Sequence, residues 1–304
     1  MRIVTSGFRY LDIDAYGGCA AYAELLHLQG IEAVFASTAP LNESITPTIR
    51  SWVVPMERSY TPNEHDEYVI IDLSEPKIFD TFVAFDRVVE VIDHHMEMQE
   101  YWRSQSKVSA QIEFVGAACT LVYERWCDAG LLDQMSQVSA RLLIAGMLDN
   151  TLNFKASVTD QRDRDAYESL MRYAHLPADW PATYFTECQQ TIEKDVMGAL
   201  RNDTKQAYYP GFTEELTVAQ LATWDARFIL DQPEVVSRAM PPGSAWFASM
   251  ISISEGKNYL ICQDEALRRY LDSLLGVKFD KDIGVTDRLW LRKEIMKKAM
   301  EQNI

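Results

Sequence analysis

The chain has 304 residues, of which 47% are apolar, so it can bury two hydrophobic cores, a single core commonly serving roughly 100 to 200 residues. Its 45 acidic and 29 basic side chains leave a formal charge of −16, which argues against long nucleic acid as a partner while leaving room for a locally basic pocket. The five cysteines, at 19, 119, 127, 188 and 262, contain no close pair of the kind a structural zinc site or redox motif needs. No apolar run reaches the roughly 20 residues that span a bilayer, and the N-terminus enters a strand pattern directly. A reduced, cytoplasmic setting with no export signal and no membrane contact is expected.

In chain order, Arg2 to Thr5 reads as a first strand and Ser6 to Asp14 as a loop. A small-residue segment, Ala15-Tyr16-Gly17-Gly18-Cys19-Ala20-Ala21, then leads into a helix through about Leu28. Ile31 to Ala36 reads as a second strand, and this strand, helix, strand order is what a parallel sheet requires. Strands follow at 69 to 72, 88 to 92 and 108 to 114, then helices from Gly116 through Cys127, from about Ser136 to 151, and from Arg164 to Tyr173. The segment His175 to Pro181 breaks the pattern, which places a domain boundary there and gives domains of 1–183 and 184–304. The second domain reads as a smaller α/β unit: helix 184–200, strand 214–219, helix 231–239, strands 246–253 and 258–262, and helices 264–275 and 286–300.

Three strand ends carry ligand-type residues. The run Val88-Val89-Glu90-Val91-Ile92 ends on Asp93-His94-His95; Tyr68-Val69-Ile70-Ile71 ends on Asp72; and Asp12-Ile13-Asp14 follows the first strand, the two carboxylates projecting from a loop. Open α/β sheets collect ligands at the carboxyl edge, so these residues are candidate metal ligands. A carboxylate such as Asp72 can reach two ions through its two oxygens. His94 is the preferred imidazole ligand, His95 is a candidate proton donor or phosphate contact, and Asp93 can fix a histidine tautomer. The plainer readings are caps and turns for the acids and a satisfied strand end for the histidines.

These residues resemble successive motifs of the DHH phosphoesterase superfamily: Asp12-Ile13-Asp14-Ala15, Asp72, Asp93-His94-His95, Gly116-Ala117-Ala118, and the stretch from Asp149 to Lys155. In the second domain, Asn202 to Lys205, Leu216 to Thr223 and Leu291-Arg292-Lys293 resemble manganese-dependent family II inorganic pyrophosphatases. The resemblance implies an α/β protein of two lobes, a parallel-sheet metal-binding domain and a smaller α/β phosphate-clamp domain, with the site in the cleft. It implies manganese or magnesium, one ion or two, with cobalt as a substitute. Asp12 and Asp72 would serve one ion, and Asp14, Asp72 and His94 another. Asp72 and His95 would be catalytic, and Lys205, Arg292 and Lys293 would bind phosphate together with His95.

Two positions depart from that pattern. Phe8 stands where the family has a histidine ligand, and phenylalanine has no lone pair to give. The late aspartate ligand falls on Asn150, with Asp149 one position earlier as a replacement if the backbone shifts. Arg9, beside Phe8, could supply fixed positive charge in a missing ion's place. The leading expectation is a metal-dependent hydrolase of a small phosphoanhydride or phosphoester, pyrophosphate or short polyphosphate. The alternatives are a phosphodiesterase of short oligonucleotides or cyclic dinucleotides, and a catalytically inactive phosphate-binding protein.

Overall fold

The computed structural model describes residues 1–302. They form two compact units, one comprising Met1–Phe154 and Val158–Pro181, the other comprising Lys155–Ser157 and the chain from Ala182 onward.

The first unit is built on strands β1 (Arg2–Thr5), β2 (Ala33–Phe35), β3 (Glu67–Ile71), β4 (Val88–Asp93) and β5 (Ser109–Ile112), all parallel and ordered β2-β1-β3-β4-β5. Val69, Ile70, Ile71, Val91 and Ile92 are fully buried. Such continuous apolar runs belong to parallel strands covered on both faces. On one face Ile3, Tyr68, Ile70 and Val91 pack with Phe79 and Trp102, from the connecting segments. The other side carries α1 (Ile13–Leu28), α2 (Ala118–Asp128) and α3 (Gln137–Thr151), with α4 (Gln161–Ala174) packed on α2 and α3.

Helix α1 begins at Ile13, before the small-residue segment, because Asp12 caps it: its Oδ1 accepts the Ala15 amide at 3.0 Å. Asp12 and Asp14 therefore lie at a helix N-terminus and not on a loop. The adjacent glycines, unfavourable for a helix interior, are explained by close approach. A Cβ at Gly17 would stand 2.8 Å from Leu142 O, and one at Gly18 would stand 2.7 Å from Ile71 Cγ2. α1 can thus lie against both α3 and β3.

The second unit contains α5 (Trp180–Lys194) from Ala182 onward, α6 (Val196–Asn202), β6 (Thr204–Ala207), β7 (Leu216–Thr223), α7 (Pro233–Ala239), β8 (Trp246–Ser252), β9 (Lys257–Ile261), α8 (Glu265–Leu275), β10 (Phe279–Asp280), β11 (Ile283–Val285) and α9 (Arg292–Gln302). Its mixed sheet runs β10-β11-β9-β8-β7-β6, with β7 and β8 parallel and the other pairs antiparallel. Alternation along β8 separates two cores, Phe247 packing with Leu260, Leu271 and Ile295, and Ala248 and Met250 packing with Ile229 and Val236. The single helix expected over 184–200 is two, since the Asp195 side chain accepts the Gly198 amide at 2.8 Å and starts a new helix. The last helix begins at Arg292 and not at 286. Among the described residues no helix is long and apolar enough to cross a membrane.

Candidate metal centre

In the first sheet β1 lies between β2 and β3, so the chain leaves β1 to one side and returns to the other. Such a switch point opens a crevice at the carboxyl ends of the strands. A cavity of about 460 Å³ lies there, lined among others by Ser6, Arg9, Tyr10, Asp12, Asp72, Asp93 and His95. Parallel register delivers the ligands to it: Ile71 pairs with Ile92, so Asp72 follows β3 as Asp93 closes β4. The Asp72 amide donates to Ile92 O at 2.8 Å, and its φ of 59° turns the chain immediately after the strand. Aspartate is among the few residues without a glycine's freedom that adopt this left-handed region readily.

His94 Nε2 lies 3.3 Å from Asp72 Oδ1 and 3.9 Å from Asp14 Oδ2. The other ring nitrogen, Nδ1, is 3.1 Å from the Val115 carbonyl oxygen, which can only accept, so Nδ1 carries the proton. With Nδ1 turned to that carbonyl, Nε2 is the ring nitrogen that faces the Asp72 carboxyl. Neither Asp72 Oδ1 nor His94 Nε2 has a hydrogen-bond partner, although both are buried. Burial, and then the charges of Asp14 and Asp12, hold the Asp72 carboxyl well above the ordinary range. Burial also raises Asp12.

His95 is held differently. Its Nδ1 donates to Asp93 Oδ1 at 2.8 Å and its backbone amide to the same oxygen at 3.1 Å, while the side chain remains 55% exposed. The bond to Asp93 raises the His95 pKa against the opposing effect of burial. For Asp93, burial opposes the charge, but the bonds from His95 outweigh it and the carboxyl sits below its usual value. Asp72, His94 and His95 bring ligand atoms within 4.8 Å of one another.

Asp14, fully buried, has both oxygens engaged: Oδ2 accepts the Ala118 amide and Oδ1 the Cys119 amide, each at 2.8 Å, and the Asn150 side-chain amide also donates to Oδ2. Sequence reasoning missed Asp163, whose buried carboxylate accepts the Gly116 amide at 2.9 Å, Thr120 Oγ1 at 2.5 Å and the Asp160 amide at 2.7 Å. The amides of Gly116 and Ala118, at the N-terminal end of α2, are thus taken by protein carboxylates. The signal for Asp163 was its place three residues after Asp160, a reciprocal cap of α4. Burial pushes the thiols of Cys19 and Cys119 well up, which leaves them inert.

The other expected residues fall as follows. Arg9 lines the cavity; neighbouring Phe8 is 39% exposed, with its amide on Ile78 O at 3.1 Å. Asp149 and Asn150 are adjacent on α3, and it is Asn150 that reaches Asp14. Lys205 lies exposed on β6, and Arg292 and Lys293 open α9 in the second unit. The Arg292 guanidinium donates to Asp203 O at 2.7 Å, Val218 O at 3.1 Å and Asp203 Oδ1 at 2.6 Å.

A buried carboxylate oxygen and a buried imidazole nitrogen that face each other without a hydrogen-bond partner are unfavourable unless a proton or a metal cation lies between them. A carboxylate and an imidazole nitrogen suit manganese or a similar divalent ion, so Asp72 and His94 fit the metal their position implies.

Residues 2–147 match the DHH family, N-terminal domain. A "probable manganese-dependent inorganic pyrophosphatase" of Shouchella clausii is 24% identical over 226 residues, which cover 74% of this chain and 71% of that one. A protein of the same name from Bacillus licheniformis is 22% identical over 237 residues, covering 77% and 75%. The solved structure of a "putative family II inorganic pyrophosphatase" of Methanococcus jannaschii matches with a TM-score of 0.65 at 15% identity, covering 99% of this chain and all of that one. An exopolyphosphatase-related protein from Bacteroides fragilis matches with a TM-score of 0.54 at 15% identity, covering 99% and 91%. At these identities the solved structures speak to the fold alone. The parallel sheet and the Asp-His-His strand end both lie within residues 2–147, so the part of the first unit that holds the site is the part that matches the DHH family, N-terminal domain.

Proposed function

We propose that the chain is a divalent-metal-dependent hydrolase of a small phosphorylated substrate, with pyrophosphate or a short polyphosphate as the first candidate. The observation that carries this reading is the facing pair Asp72 Oδ1 and His94 Nε2, 3.3 Å apart, buried and without hydrogen-bond partners. Manganese is the first ion to try, since the curated relatives are named for it; magnesium and cobalt follow. When bound, such an ion supplies Lewis acidity and lowers the pKa of water.

The chain's own groups supply the rest. Asp93 orients His95 and keeps it protonated closer to neutral pH, as a proton donor to a leaving oxygen requires. Arg9, at the cavity wall, is a cation for a phosphate oxygen. Lys205, Arg292 and Lys293 are assigned to phosphate binding, Arg292 with its fork already oriented by Asp203. Phe8 and Asn150 support a second reading, a phosphate-binding protein without turnover.

A screen of manganese, magnesium and cobalt against pyrophosphate, tripolyphosphate and a dinucleotide tests this, with Asp72→Asn as the control for contaminating hydrolase. Metal-dependent release of orthophosphate that Asp72→Asn abolishes is expected. Turnover confined to the dinucleotide moves the substrate to phosphodiesters, and saturable pyrophosphate binding with no Asp72-dependent turnover sinks the hydrolase reading.

A further inference from the structure

We propose that the open edge of β2, with the apolar cavity beside it, binds an extended peptide segment that carries apolar residues between basic ones. The proposal is independent of the metal-dependent reading and uses none of the residues of that centre.

β2 is the outermost strand of its sheet. With Ile3 opposite Val34, the main-chain groups of Val34 and Ala36 turn towards β1, and the Ala36 amide donates to Val4 O at 3.1 Å. Those of Ala33 and Phe35 therefore turn outward. At one end this outward side is paired: the Glu57 amide donates to Phe35 O at 2.9 Å and the Ser37 amide to Glu57 O at 3.1 Å, in a parallel bridge between Ala36 and Glu57. One step back, the same ladder would need the amide of residue 55 for Ala33 O. Residue 55 is proline, which has no amide hydrogen to give. The pairing stops there, and among the described residues the Phe35 amide and the Ala33 carbonyl oxygen meet no hydrogen-bond partner.

Where the pairing stops, a cavity of about 520 Å³ lies between β2, the chain at 53–55 and the helices α1 and α3. Ala20 and Ala23 leave room in it, and Val53, Val138 and Leu142 give it apolar walls. Glu24, which also lines it, is already occupied, accepting from the Ser136 amide and from the hydroxyls of Ser136 and Ser139. Besides the exposed His27, a ligand meets one main-chain donor and one main-chain acceptor, the pair that a single residue of an added parallel strand uses. Such pairing gives an extended peptide its affinity, and the adjoining cavity selects its side chain. Glu32, next to Ala33, and Glu57, opposite Ala36, are both exposed, and the chain carries −16 overall. Basic residues on either side of the apolar ones complement that edge.

The test uses full-length protein and the peptide acetyl-Lys-Val-Val-Lys-amide, followed by amide-resolved nuclear magnetic resonance. Saturable binding that moves the Ala33 and Phe35 amide signals is expected. The same peptide N-methylated at both valines keeps the apolar groups and loses the amide hydrogens, and should bind about 5-fold more weakly or worse. Acetyl-Glu-Val-Val-Glu-amide should also bind more weakly. Pro55→Val, at an exposed position, returns an amide to the chain's own edge and should weaken binding of the first peptide by about 5-fold, with folding checked by circular dichroism. No binding, or binding that N-methylation leaves unchanged, overturns the proposal. Equal binding of the acidic peptide overturns its charge preference, and a folded Pro55→Val protein with unchanged affinity overturns the assignment to the β2 edge.

Discussion

His94 Nδ1 lies 3.1 Å from the Val115 carbonyl oxygen, and that contact turns the opposite ring nitrogen towards Asp72 Oδ1, 3.3 Å away. Burial and the charges of Asp14 and Asp12 disfavour the ionised Asp72 carboxyl, so in the metal-free protein its charge opposes folding. Asp72→Asn supplies a donor to His94 and removes a buried charge, so it should stabilise the metal-free protein by about 1 to 3 kcal/mol. The melting temperature in a chelator should rise by several degrees, roughly 2–4 °C per kcal/mol at this size. Manganese should protect wild type against heat and leave the variant unaffected. A lower melting point for the chelated variant would show that Asp72 serves structure.

Gly146→Ala tests the packing behind Asp14. The added methyl would stand 2.5 Å from Cys119 Sγ and 3.1 Å from Asp14 Cα, and neither α1 nor α2 can yield cheaply. A loss of about 1 to 3 kcal/mol in urea denaturation is expected.

Asp163→Ala strands three donors, the buried Gly116 amide and Thr120 hydroxyl and the partly buried Asp160 amide. The expected cost is about 3 kcal/mol or more, read as a lowered urea midpoint with unchanged slope. Asp163→Asn keeps one acceptor and should recover part of it.

Arg292→Ala removes donors from Asp203 and Val218, and a loss of about 1 to 3 kcal/mol is expected. If Arg292 also binds phosphate, KM for the substrate rises in the alanine variant and is only partly restored by Arg292→Lys, which keeps the charge without the planar fork. Lowered stability with unchanged KM would confine Arg292 to a structural role.

The Asp93-His94-His95 strand end was legible because a buried strand has only its carboxyl end free for polar chemistry, and Asp72 was legible for the same reason. The role of Asp14 was not. A carboxylate in the first turn of a helix looks the same in sequence whether it meets a cation or the N-terminus of a distant helix, and residues 118 and 119 lie more than a hundred positions away. β6, β10 and β11 escaped notice because they are short and half-exposed, without the apolar alternation that marks a strand. The break at Asp195 had a local signal, an acid three residues before Gly198, but the apolar period runs through it.

The left-handed backbone at Asp72, φ 59°, has an evolutionary side. Asparagine and glycine adopt that conformation at little cost, whereas β-branched residues are strained there. Both are one base change away from an aspartate codon. The position can therefore lose its charge in one mutational step without losing its fold, so the activity is genetically more fragile than the scaffold that carries it. A saturation library at residue 72 selected only for soluble expression should drift towards asparagine and glycine, and sequencing it before and after selection would show the drift.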